Sequence, residues 1–490
     1  MRKAGVLLAI SSLPSDFGIG DLGKRAYEFV DILKEMKVKI WQVLPLTPLG
    51  FGNSPYQSSS SFAGDDIYIG IDQLIKDELL NSSDIEKFNT DLDKVEYDLV
   101  REHKNALYQK AFSNFKKLKK DKFEQDYQNF IEDNSWTLDY AIFKTFRKVN
   151  NNQIWSDWSE PYKNWIKNKN IDLTKYQESI DYELFLQFIF YRQWFELKAY
   201  ANKNSIEIMG DLPIYLGLDS ADVWENQEIF LLDENQKPTF VAGVPPDFFS
   251  KTGQLWGNPL YDWDKLKETN FDFWIKRLEG SFKLFDILRI DHFRAFDTYW
   301  KIPAAERTAI KGEWIEAPGY AFFDTIYKQL PKANIIAEDL GDLRKEVFEL
   351  RDHYNLKGMK VFQFHFDPRK LYNKEFSNGS NTIIYTGTHD NNTLLGWYNE
   401  QSKWYKKLLK RSFKTNYKKI VRAILKYALN TEAEYVIIPV QDILELDVNA
   451  RFNTPGQVGS PNWEWKLVDF NQLNLKKSYF SNIVISSGRS

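Results

Sequence analysis

The sequence predicts a (β/α)8 barrel, in which eight parallel strands alternate with helices. The chain has 490 residues, which suits one barrel that carries large insertions. Eight apolar, β-branched runs are bounded by turn residues, and helical patterns lie between most of them. These runs are apolar almost throughout, which is typical of parallel strands that are buried on both faces.

The eight predicted strands follow one another along the chain. They are AGVLLAI (4–10), KIWQVLPL (39–46), IEIMGDLPIYL (206–216), FDILRIDHF (285–293), NIIAEDL (334–340), GMKVFQFHF (358–366), TIIYTGTHD (382–390) and YVIIPVQDIL (435–444). Helical patterns between them include residues 26–37 and 420–430. The first run follows Met1-Arg2-Lys3 and so also resembles a short signal peptide. However, it continues directly into LPSDFGIGDLG, which favours a first strand and its loop.

Two connections are too long for ordinary strand-to-helix loops. Roughly 155 residues separate the second and third predicted strands, where most connections need only a few. We therefore predict a single catalytic barrel over residues 1–490, with an inserted subdomain at 49–205 and a second insertion at 217–280. Both insertions, which follow strands 2 and 3, are expected to be mainly helical.

Composition argues against several classes of function. The net charge of −3 gives no sign of nucleic-acid or anionic-membrane binding, and no apolar run is long enough to span a bilayer. The chain has no cysteine, and its five histidines lack paired metal-ligand spacing, so neither a thiol nucleophile nor a structural metal is expected. The aromatic content of 16% mostly reflects a large core and gives only weak support for a sugar-binding cleft.

Three of the predicted strands lead into a carboxylate. Asp291, Glu338 and Asp390 each lie where an apolar run meets a loop. In a parallel barrel the carboxyl ends of the strands converge on one mouth, where barrel enzymes keep their active sites. Converging carboxylates, one as nucleophile and one as proton donor, are what cleavage and formation of glycosidic bonds require.

Asp291 and Glu338 are the best candidates for the reacting pair. They end successive predicted strands, and neighbouring strands lie about 4.8 Å apart, close to the 5–5.5 Å that a retaining mechanism requires. Arg289 lies two residues before Asp291 and therefore points to the same side of its strand. An R-x-D pattern by itself is more often a structural ion pair. Asp339 points away from Glu338, so it is the weaker candidate for the acid.

The polar residues beside these acids allow two interpretations. Asp390 could hold sugar hydroxyls and favour distortion of the ring, while His389 could donate to a hydroxyl group. His292 and His389 could equally be ordinary loop histidines. The order of the three acidic strings along the chain is more specific than any one of them.

Several strings resemble a known family of enzymes. DILRIDHFRAF, IIAEDLG and YTGTHDNNT resemble the catalytic segments of the α-amylase clan. Longer strings resemble glycoside hydrolase family 77, the 4-α-glucanotransferases. These strings are GNSPYQSSSSFAG (52–64), GDLPIYLGLDSADVW (210–224), GVPPDFFSKTGQLWGNPLYDW (243–263) and RFNTPGQVGSPNWEW (451–465). The resemblance extends from SSLPS near residue 11 to the region of Trp463.

The resemblance implies roles for the matching residues. Asp291 would be the nucleophile that forms a β-glucosyl-enzyme, Glu338 the acid/base, and Asp390 a stabiliser of the transition state. Arg289 and His389 would assist at the sugar that is cleaved.

The resemblance also implies a set of substrate contacts. Tyr56 would stack on the sugar ring in the donor subsite, and Asp211 would line the same pocket. His292 and Asn462 would contact the bound glucan. A loop within the 217–280 insertion would cover the cleft with Asp247, Phe249, Gln254 and Trp256.

The sequence departs from the family pattern at a few positions. Asp65-Asp66 follows FAG where the family usually has Asn-Pro. The other departures are Phe51, Phe248, Phe452 and Pro461. None of them replaces one of the three acids.

The expected function is transfer of α-1,4-glucan segments between malto-oligosaccharides derived from starch or glycogen. No cofactor or metal is expected, because two carboxylates can perform both half-reactions. The chain is expected to act as a monomer in the cytoplasm, without nucleic-acid or membrane partners. One alternative is a hydrolase of the same clan, such as an α-amylase. Another, from a different class, is an inactive glucan-binding protein, which a missing carboxylate would mark; none is missing.

Overall fold

The computed structural model describes most of the chain. The described residues are 2–86, 88, 93–246, 250–370, 376 and 379–490. Within this part, no helix combines the length and the apolar character that crossing a bilayer requires.

Eight parallel strands form the barrel. They are β1 (Lys3–Leu7), β2 (Ile40–Gln42), β3 (Glu207–Pro213), β4 (Ile287–Asp291), β5 (Ile335–Ala337), β6 (Gly358–Val361), β7 (Thr382–Tyr385) and β8 (Tyr435–Pro439). Neighbours pair in the order β6-β7-β8-β1-β2-β3-β4-β5. A parallel bridge between Ile336 and Lys357 joins β5 to the start of β6 and nearly closes the barrel. The predicted barrel is therefore confirmed, although each predicted strand extends further toward its carboxyl end than the observed one.

The strands are apolar on both faces because the barrel has two buried surfaces. One cluster fills the interior with a side chain from every strand, for example Ile40, Ile287 and Ile437. The alternate residues, such as Leu288 and Ile438, join the larger cluster beneath the surrounding helices. This division explains why the sequence shows continuous apolar runs instead of alternation.

The longer helices pack around the barrel; most lie between successive strands, and the last follows β8. They are Lys24–Glu35, Gln177–Lys203, Asp272–Leu284, Gly319–Gln329, Lys345–His353, Leu394–Glu400, Lys403–Ser412, Ile420–Leu429 and Asn471–Ser486. Shorter helices are Ala221–Glu225, Trp263–Glu268, Phe362–His365 and Val440–Leu444.

The segment between β2 and β3 is mainly helical, as the sequence predicts. Its helices are Ile71–Lys76, Tyr97–Leu118, Glu124–Asp133, Trp136–Val149, Glu160–Lys163 and Trp165–Asn168. The long helix Gln177–Lys203 returns the chain to β3 and is buried around most of its circumference. It is apolar on several faces because it packs against both the barrel and Trp136–Val149.

A small antiparallel sheet lies outside the barrel, and its strands were not predicted from the sequence. Four antiparallel strands pair in the order Gln254–Pro259, Phe240–Val244, Thr298–Pro303 and Glu313–Glu316. The first two come from the 217–280 segment, and the other two follow β4. This small sheet positions Gln254 and Trp256 beside the barrel mouth.

Candidate active site

The three predicted acids lie at the same end of the barrel. Asp291 is the last residue of β4, Glu338 directly follows β5, and Asp390 lies in the loop after β7. The backbone N–H of Glu338 donates to the carbonyl of Ile290 over 3.1 Å, and Phe293 N–H donates to the Glu338 carbonyl over 3.1 Å. Asp291 and Glu338 are therefore neighbours at the ends of two paired strands.

A buried arginine connects two acids of the site. Nη1 of Arg289 donates to both carboxylate oxygens of Asp211, over 2.7 and 2.6 Å. Its Nη2 lies 2.8 Å from Oδ1 of Asp291, whose side chain is 31% exposed. Burial opposes the charged form of Arg289, but Asp211 and Asp291 hold its pKa well above the usual value. The arginine therefore presents a fixed positive charge to Asp291, the more exposed of these two acids.

Tyr56 reaches the same network from the loop after β2. Its hydroxyl donates to Oδ2 of Asp211 over 2.8 Å and lies 3.5 Å from Nδ1 of His389. The rings of Tyr56 and His389 stack with centroids 5.1 Å apart. Burial and the charge of Asp211 raise the pKa of Tyr56 well above its usual value, so the hydroxyl keeps its proton. The predicted group of Tyr56, Asp211, Arg289 and His389 is thus assembled in one place.

The surroundings of Glu338 differ from those of Asp291. Its carboxyl oxygens accept hydrogen bonds from the backbone N–H groups of His292 and Leu340, over 2.9 and 3.2 Å. Burial raises the pKa of Glu338 to about 8; Arg289 opposes the increase, and Asp291 contributes to it. Glu338 is therefore protonated at neutral pH, as a general acid must be.

Asp339 points out of the site. One carboxylate oxygen pairs with Arg351, and the other accepts the N–H of Met359 over 2.7 Å. This arrangement agrees with the period of two along a strand, by which adjacent residues face opposite sides.

His292 adopts a left-handed backbone conformation with φ of 55°. This conformation is costly for a residue with a side chain, and here it directs the N–H of His292 to Glu338. The imidazole packs edge-on against Trp256, with centroids 4.8 Å apart. Burial lowers the pKa of His292 to about 4, so the ring is neutral. Its Nε2 is buried and makes no hydrogen bond to any described residue.

Asp390 is held by a segment that follows β8. Nδ2 of Asn453 donates to Oδ1 of Asp390 over 2.6 Å, and Arg451 donates to the Asp390 backbone carbonyl over 2.8 Å. Nε2 of His389 lies 3.4 Å from Oδ1 of Asp390, whose side chain is 41% exposed. Arg451 and Asn453 were not among the predicted site residues, although both occur in the string RFNTP, which supported the family resemblance.

The strand Gln254–Pro259 forms one wall of the cleft. The indole Nε1 of Trp256 donates to Oε1 of Gln254 over 3.2 Å. Nε2 of Gln57 donates to the Trp256 carbonyl over 3.4 Å and to Oδ1 of Asn258 over 3.2 Å. These bonds connect the wall to the loop that carries Tyr56. Two further predicted residues of the covering loop, Asp247 and Phe249, lie outside the described residues.

Asn462 lies in the loop after β8, and its amide is engaged by that loop. Its Oδ1 accepts the N–H of Thr454 over 3.0 Å, and its Nδ2 donates to the Gln457 carbonyl over 2.9 Å. The side chain is 4% exposed. These bonds stabilise the loop, and the contact of Asn462 with a glucan stays a prediction.

Potential metal ligands do not cluster in the described part of the chain. No group of three or more histidine, aspartate or glutamate side chains is placed to hold an ion there.

Comparison with known proteins gives consistent results over nearly the whole chain. The sequence model of the 4-alpha-glucanotransferase family matches residues 8–471. The 4-alpha-glucanotransferase of Streptococcus pneumoniae serotype 4 is 42% identical over 482 residues, covering 96% of this chain and 94% of that protein. The 4-alpha-glucanotransferase of Aquifex aeolicus is 41% identical and is covered completely, as is this chain.

Solved structures agree with the sequence matches. The amylomaltase from Streptococcus agalactiae, determined in complex with acarbose, has a TM-score of 0.95 and 37% identity, with complete coverage of both chains. The amylomaltase from Corynebacterium glutamicum, at 16% identity, shares the fold, with a TM-score of 0.79 over all of this chain and 75% of the other. The predicted family resemblance is confirmed: this chain belongs to the 4-alpha-glucanotransferase family.

Proposed function

We propose that this chain transfers α-1,4-glucan segments between malto-oligosaccharides by a retaining double displacement. The observation that carries the proposal is the contrast between two neighbouring carboxyl groups. Asp291 is accessible and paired with the Arg289 guanidinium, whereas burial raises the pKa of Glu338 to about 8. One group is suited to attack a sugar carbon, and the other is suited to deliver a proton.

In the first half-reaction, a carboxylate oxygen of Asp291 attacks the anomeric carbon of the donor glucan. The bond from that carbon to the glycosidic oxygen breaks, and its electron pair moves to the oxygen. Glu338 delivers its proton to this oxygen, so the leaving fragment departs with a 4-hydroxyl group. The donor segment remains bonded to Asp291 as a β-glucosyl ester.

In the second half-reaction, the Glu338 carboxylate removes the proton from the 4-hydroxyl group of an acceptor sugar. The acceptor oxygen attacks the anomeric carbon and displaces the Asp291 carboxylate. Two inversions restore the α configuration, and both acids return to their starting protonation states. The cycle needs no metal or redox cofactor.

The surrounding residues hold the sugar that becomes bonded to Asp291. The exposed carboxylate of Asp390 accepts hydrogen bonds from ring hydroxyls and favours a distorted ring in the transition state. Tyr56 offers an aromatic face, and His389 and His292 offer ring nitrogens. Asp211 and Arg289 fix the positions of Tyr56 and Asp291.

Transfer requires that an acceptor sugar reach the intermediate before water does. The wall formed by Gln254 and Trp256 lines the cleft and supplies an aromatic surface for the acceptor, and we propose Asp247 and Phe249 as further substrate contacts. Exclusion of water also strengthens the electrostatic interactions around the two acids. The alternative is a hydrolase of the same clan, which would use the same carboxylates.

Incubation with pure maltotriose separates the two activities. A transferase converts it to a ladder of longer maltodextrins plus glucose, which chromatography resolves. A hydrolase yields only maltose and glucose, and an inactive glucan-binding protein yields neither. Formation of maltose and glucose alone would overturn the proposed transfer.

We further propose that the substrates are α-1,4-glucans derived from starch or glycogen, and that the protein acts as a cytoplasmic monomer without nucleic-acid or membrane partners. The apolar run 4–10 supplies strand β1, so it belongs to the fold. The chain is proposed to form one catalytic barrel with inserted units at 49–205 and 217–280. A light-scattering mass that differs from the 57.8 kDa of one chain would contradict the monomer.

A further inference from the structure

Asp65 is a fully buried carboxylate at the base of the loop that carries Tyr56. Its exposure is 0%. Its Oδ1 and Oδ2 accept hydrogen bonds from the two Nη atoms of Arg101, over 3.0 and 2.7 Å. Oδ2 also accepts the N–H of Leu49 over 2.8 Å, and Oδ1 accepts the N–H of Ile67 over 3.0 Å. All four bonds favour the charged carboxylate.

These bonds close the loop at its two ends. The N–H of Asp65 donates to the Leu46 carbonyl over 2.8 Å, so residues 46 and 65 are joined directly. The bond from Leu49 to Oδ2 then holds the first turn of the loop against its last residue. The side chain of Asp65 therefore joins the two ends of the loop.

The closed base is in contact with the residue next to Tyr56. Gly50 packs so tightly against the loop that a Cβ there would lie 1.6 Å from the carbonyl oxygen of Gln57. Gln57 in turn binds Asn258 and the Trp256 carbonyl on the cleft wall. A shift of the joined loop ends would therefore displace residues 54–57 relative to Asp211.

The partner of Asp65 comes from a rigid helix of the insertion. Arg101 lies in Tyr97–Leu118. Three residues later, the fully buried Lys104 pairs with Asp21 over 3.0 Å and donates to the carbonyls of Ile67 and Ile69. The helix is therefore fixed to the barrel, and Arg101 offers a planar fork that matches the carboxylate in two-bond geometry.

We propose that Arg101 and Asp65 are positioning residues that set the ring of Tyr56 against the donor sugar. This inference rests on the donor-side role given to Tyr56 in the proposed function. The path from Arg101 through Asp65, Gly50 and Gln57 to Tyr56 consists of packed or hydrogen-bonded neighbours. The energetic coupling between Arg101 and Tyr56 is the quantity that tests this role.

The test is a double-mutant cycle between Arg101→Lys and Tyr56→Ala, with kcat and KM measured on maltotriose. Lysine keeps the charge but loses the two-bond geometry. We expect Arg101→Lys to lower kcat/KM about fivefold when Tyr56 is present and less than about twofold in the Tyr56→Ala background. If Arg101 serves only stability, Arg101→Lys should lower the melting temperature and change kcat/KM by the same factor with and without Tyr56. That result would overturn the proposal.

A second variant and a control complete the design. Asp65→Asn keeps the shape of the side chain and removes its charge, and it should show the same dependence on Tyr56. If Arg101→Lys does not fold, the Asp65→Asn cycle decides by the same criterion. Arg192→Lys is the matched control, because Arg192 bridges Asp77 and Asp126 within the insertion and is 25% exposed. Its kcat/KM should stay within about twofold of the wild-type value.

The same measurements separate this inference from the proposed function. Wild-type protein that forms only maltose and glucose would contradict transfer. The cycle would still be evaluated on the rate of bond cleavage, to which Tyr56 contributes in either activity. The other outcome is that wild-type protein forms the ladder of longer products while the effects of Arg101→Lys and Tyr56→Ala on kcat/KM are additive. That outcome would contradict only the positioning role.

Discussion

Asp291 and Glu338 carry the same functional group, a carboxyl, at the ends of two neighbouring strands, and we propose different roles for them. Asp291 lies beside a guanidinium, whereas Glu338 accepts hydrogen bonds from two backbone N–H groups. Among the effects that shift a pKa, burial dominates for Glu338 and raises its value to about 8. The proposed assignment of acid and nucleophile rests on this difference in environment.

The first prediction tests the assignment by trapping the intermediate. Glu338→Gln removes the proton donor, so cleavage of maltotriose should stall. A glucosyl fluoride needs little protonation of its leaving group, so it should still react with Asp291. Intact-mass spectrometry followed by peptide mapping should find one glucosyl adduct on Asp291. Asp291→Asn in the same background is the control and should form none; an adduct on another residue would refute the pair.

The second prediction concerns pH. The acid form of Glu338 is needed for the first half-reaction, and its pKa is about 8. For wild type, kcat/KM on maltotriose should therefore be level through neutral pH and fall about tenfold per pH unit above 8. The fluoride reaction of Glu338→Gln should lack this basic limb. A wild-type limb centred near pH 5 would show that Glu338 is not held in its acid form.

Linkage gives a second measurement of the same pKa. Because the folded pKa of Glu338 exceeds the ordinary value of 4.5, the native state binds its proton more tightly than the unfolded state. The contribution of this group to the free energy of unfolding is therefore fully present at low pH and is lost as pH rises from about 4.5 to about 8. The melting temperature of Glu338→Gln, relative to wild type, should rise over that interval.

At the residue scale, the sequence predicted which residues form the site better than it predicted the hydrogen bonds between them. The three acids and Arg289 could be predicted because the barrel pattern places strand ends at one mouth. The bond from Arg289 to Asp211 crosses between β4 and β3, and a strand register of this kind cannot be read from one sequence. The left-handed φ of His292 and the support of Asp390 by Asn453 depend on tertiary contacts and have no local signal.

At the scale of elements, the barrel strands were predictable and the small antiparallel sheet was not. Barrel strands are buried on both faces, so they appear as continuous apolar runs. The strand Gln254–Pro259 has the sequence QLWGNP, which contains no β-branched residue, and it lies at the edge of its sheet. Its neighbour Phe240–Val244 also pairs with Thr298–Pro303, more than fifty residues away along the chain, so local patterning cannot reveal it.

The third prediction concerns this edge strand. Trp256 is half-buried and packs edge-on against His292. Trp256→Ala should weaken acceptor binding and admit water to the glucosyl-enzyme. We expect total bond cleavage to fall moderately, and the ratio of hydrolysis to transfer to rise roughly tenfold, equivalent to a loss of ~1.4 kcal/mol. Reducing ends measured against disproportionation products give the ratio.

A neighbouring residue supplies the control for this strand. Leu255 is 39% exposed, and its side chain points away from that of Trp256 because adjacent residues face opposite sides of a strand. Leu255→Ala should leave the ratio unchanged. If Trp256→Ala lowers both activities in proportion and reduces the melting temperature, then Trp256 serves only to pack the wall, and the acceptor role fails.

At the scale of the whole molecule, the barrel brings distant parts of the chain together. Strand β8 pairs with β1 in a register that joins Tyr435 to Lys3, although more than four hundred residues separate them. The opposite end of this seam from the active site is closed by Arg489. Its guanidinium donates to the carbonyls of Leu429, Thr431, Ala433, Glu434 and Lys3, over 2.6 to 3.4 Å.

The last prediction is that this arginine stabilises the barrel without affecting catalysis. Arg489 is fully buried, and although burial lowers its pKa to about 10 it stays charged at neutral pH. Arg489→Met would leave several buried carbonyls without a donor, at a cost on the order of 3 kcal/mol. Because the amino ends of barrel strands contribute stability and their carboxyl ends contribute chemistry, kcat and KM at 25 °C should not change.

Arg422→Met is the matched control for this seam. Arg422 pairs with Glu445 over 2.8 Å but is 43% exposed, so its loss should cost less than about 1 kcal/mol. Thermal unfolding of the two variants measures the difference directly, with a clearly larger decrease in melting temperature expected for Arg489→Met. Equal decreases would mean that the carbonyls find other donors. A changed KM in the folded Arg489→Met protein would mean that the two ends of the barrel are coupled, because no bond of Arg489 reaches the mouth where the three acids meet.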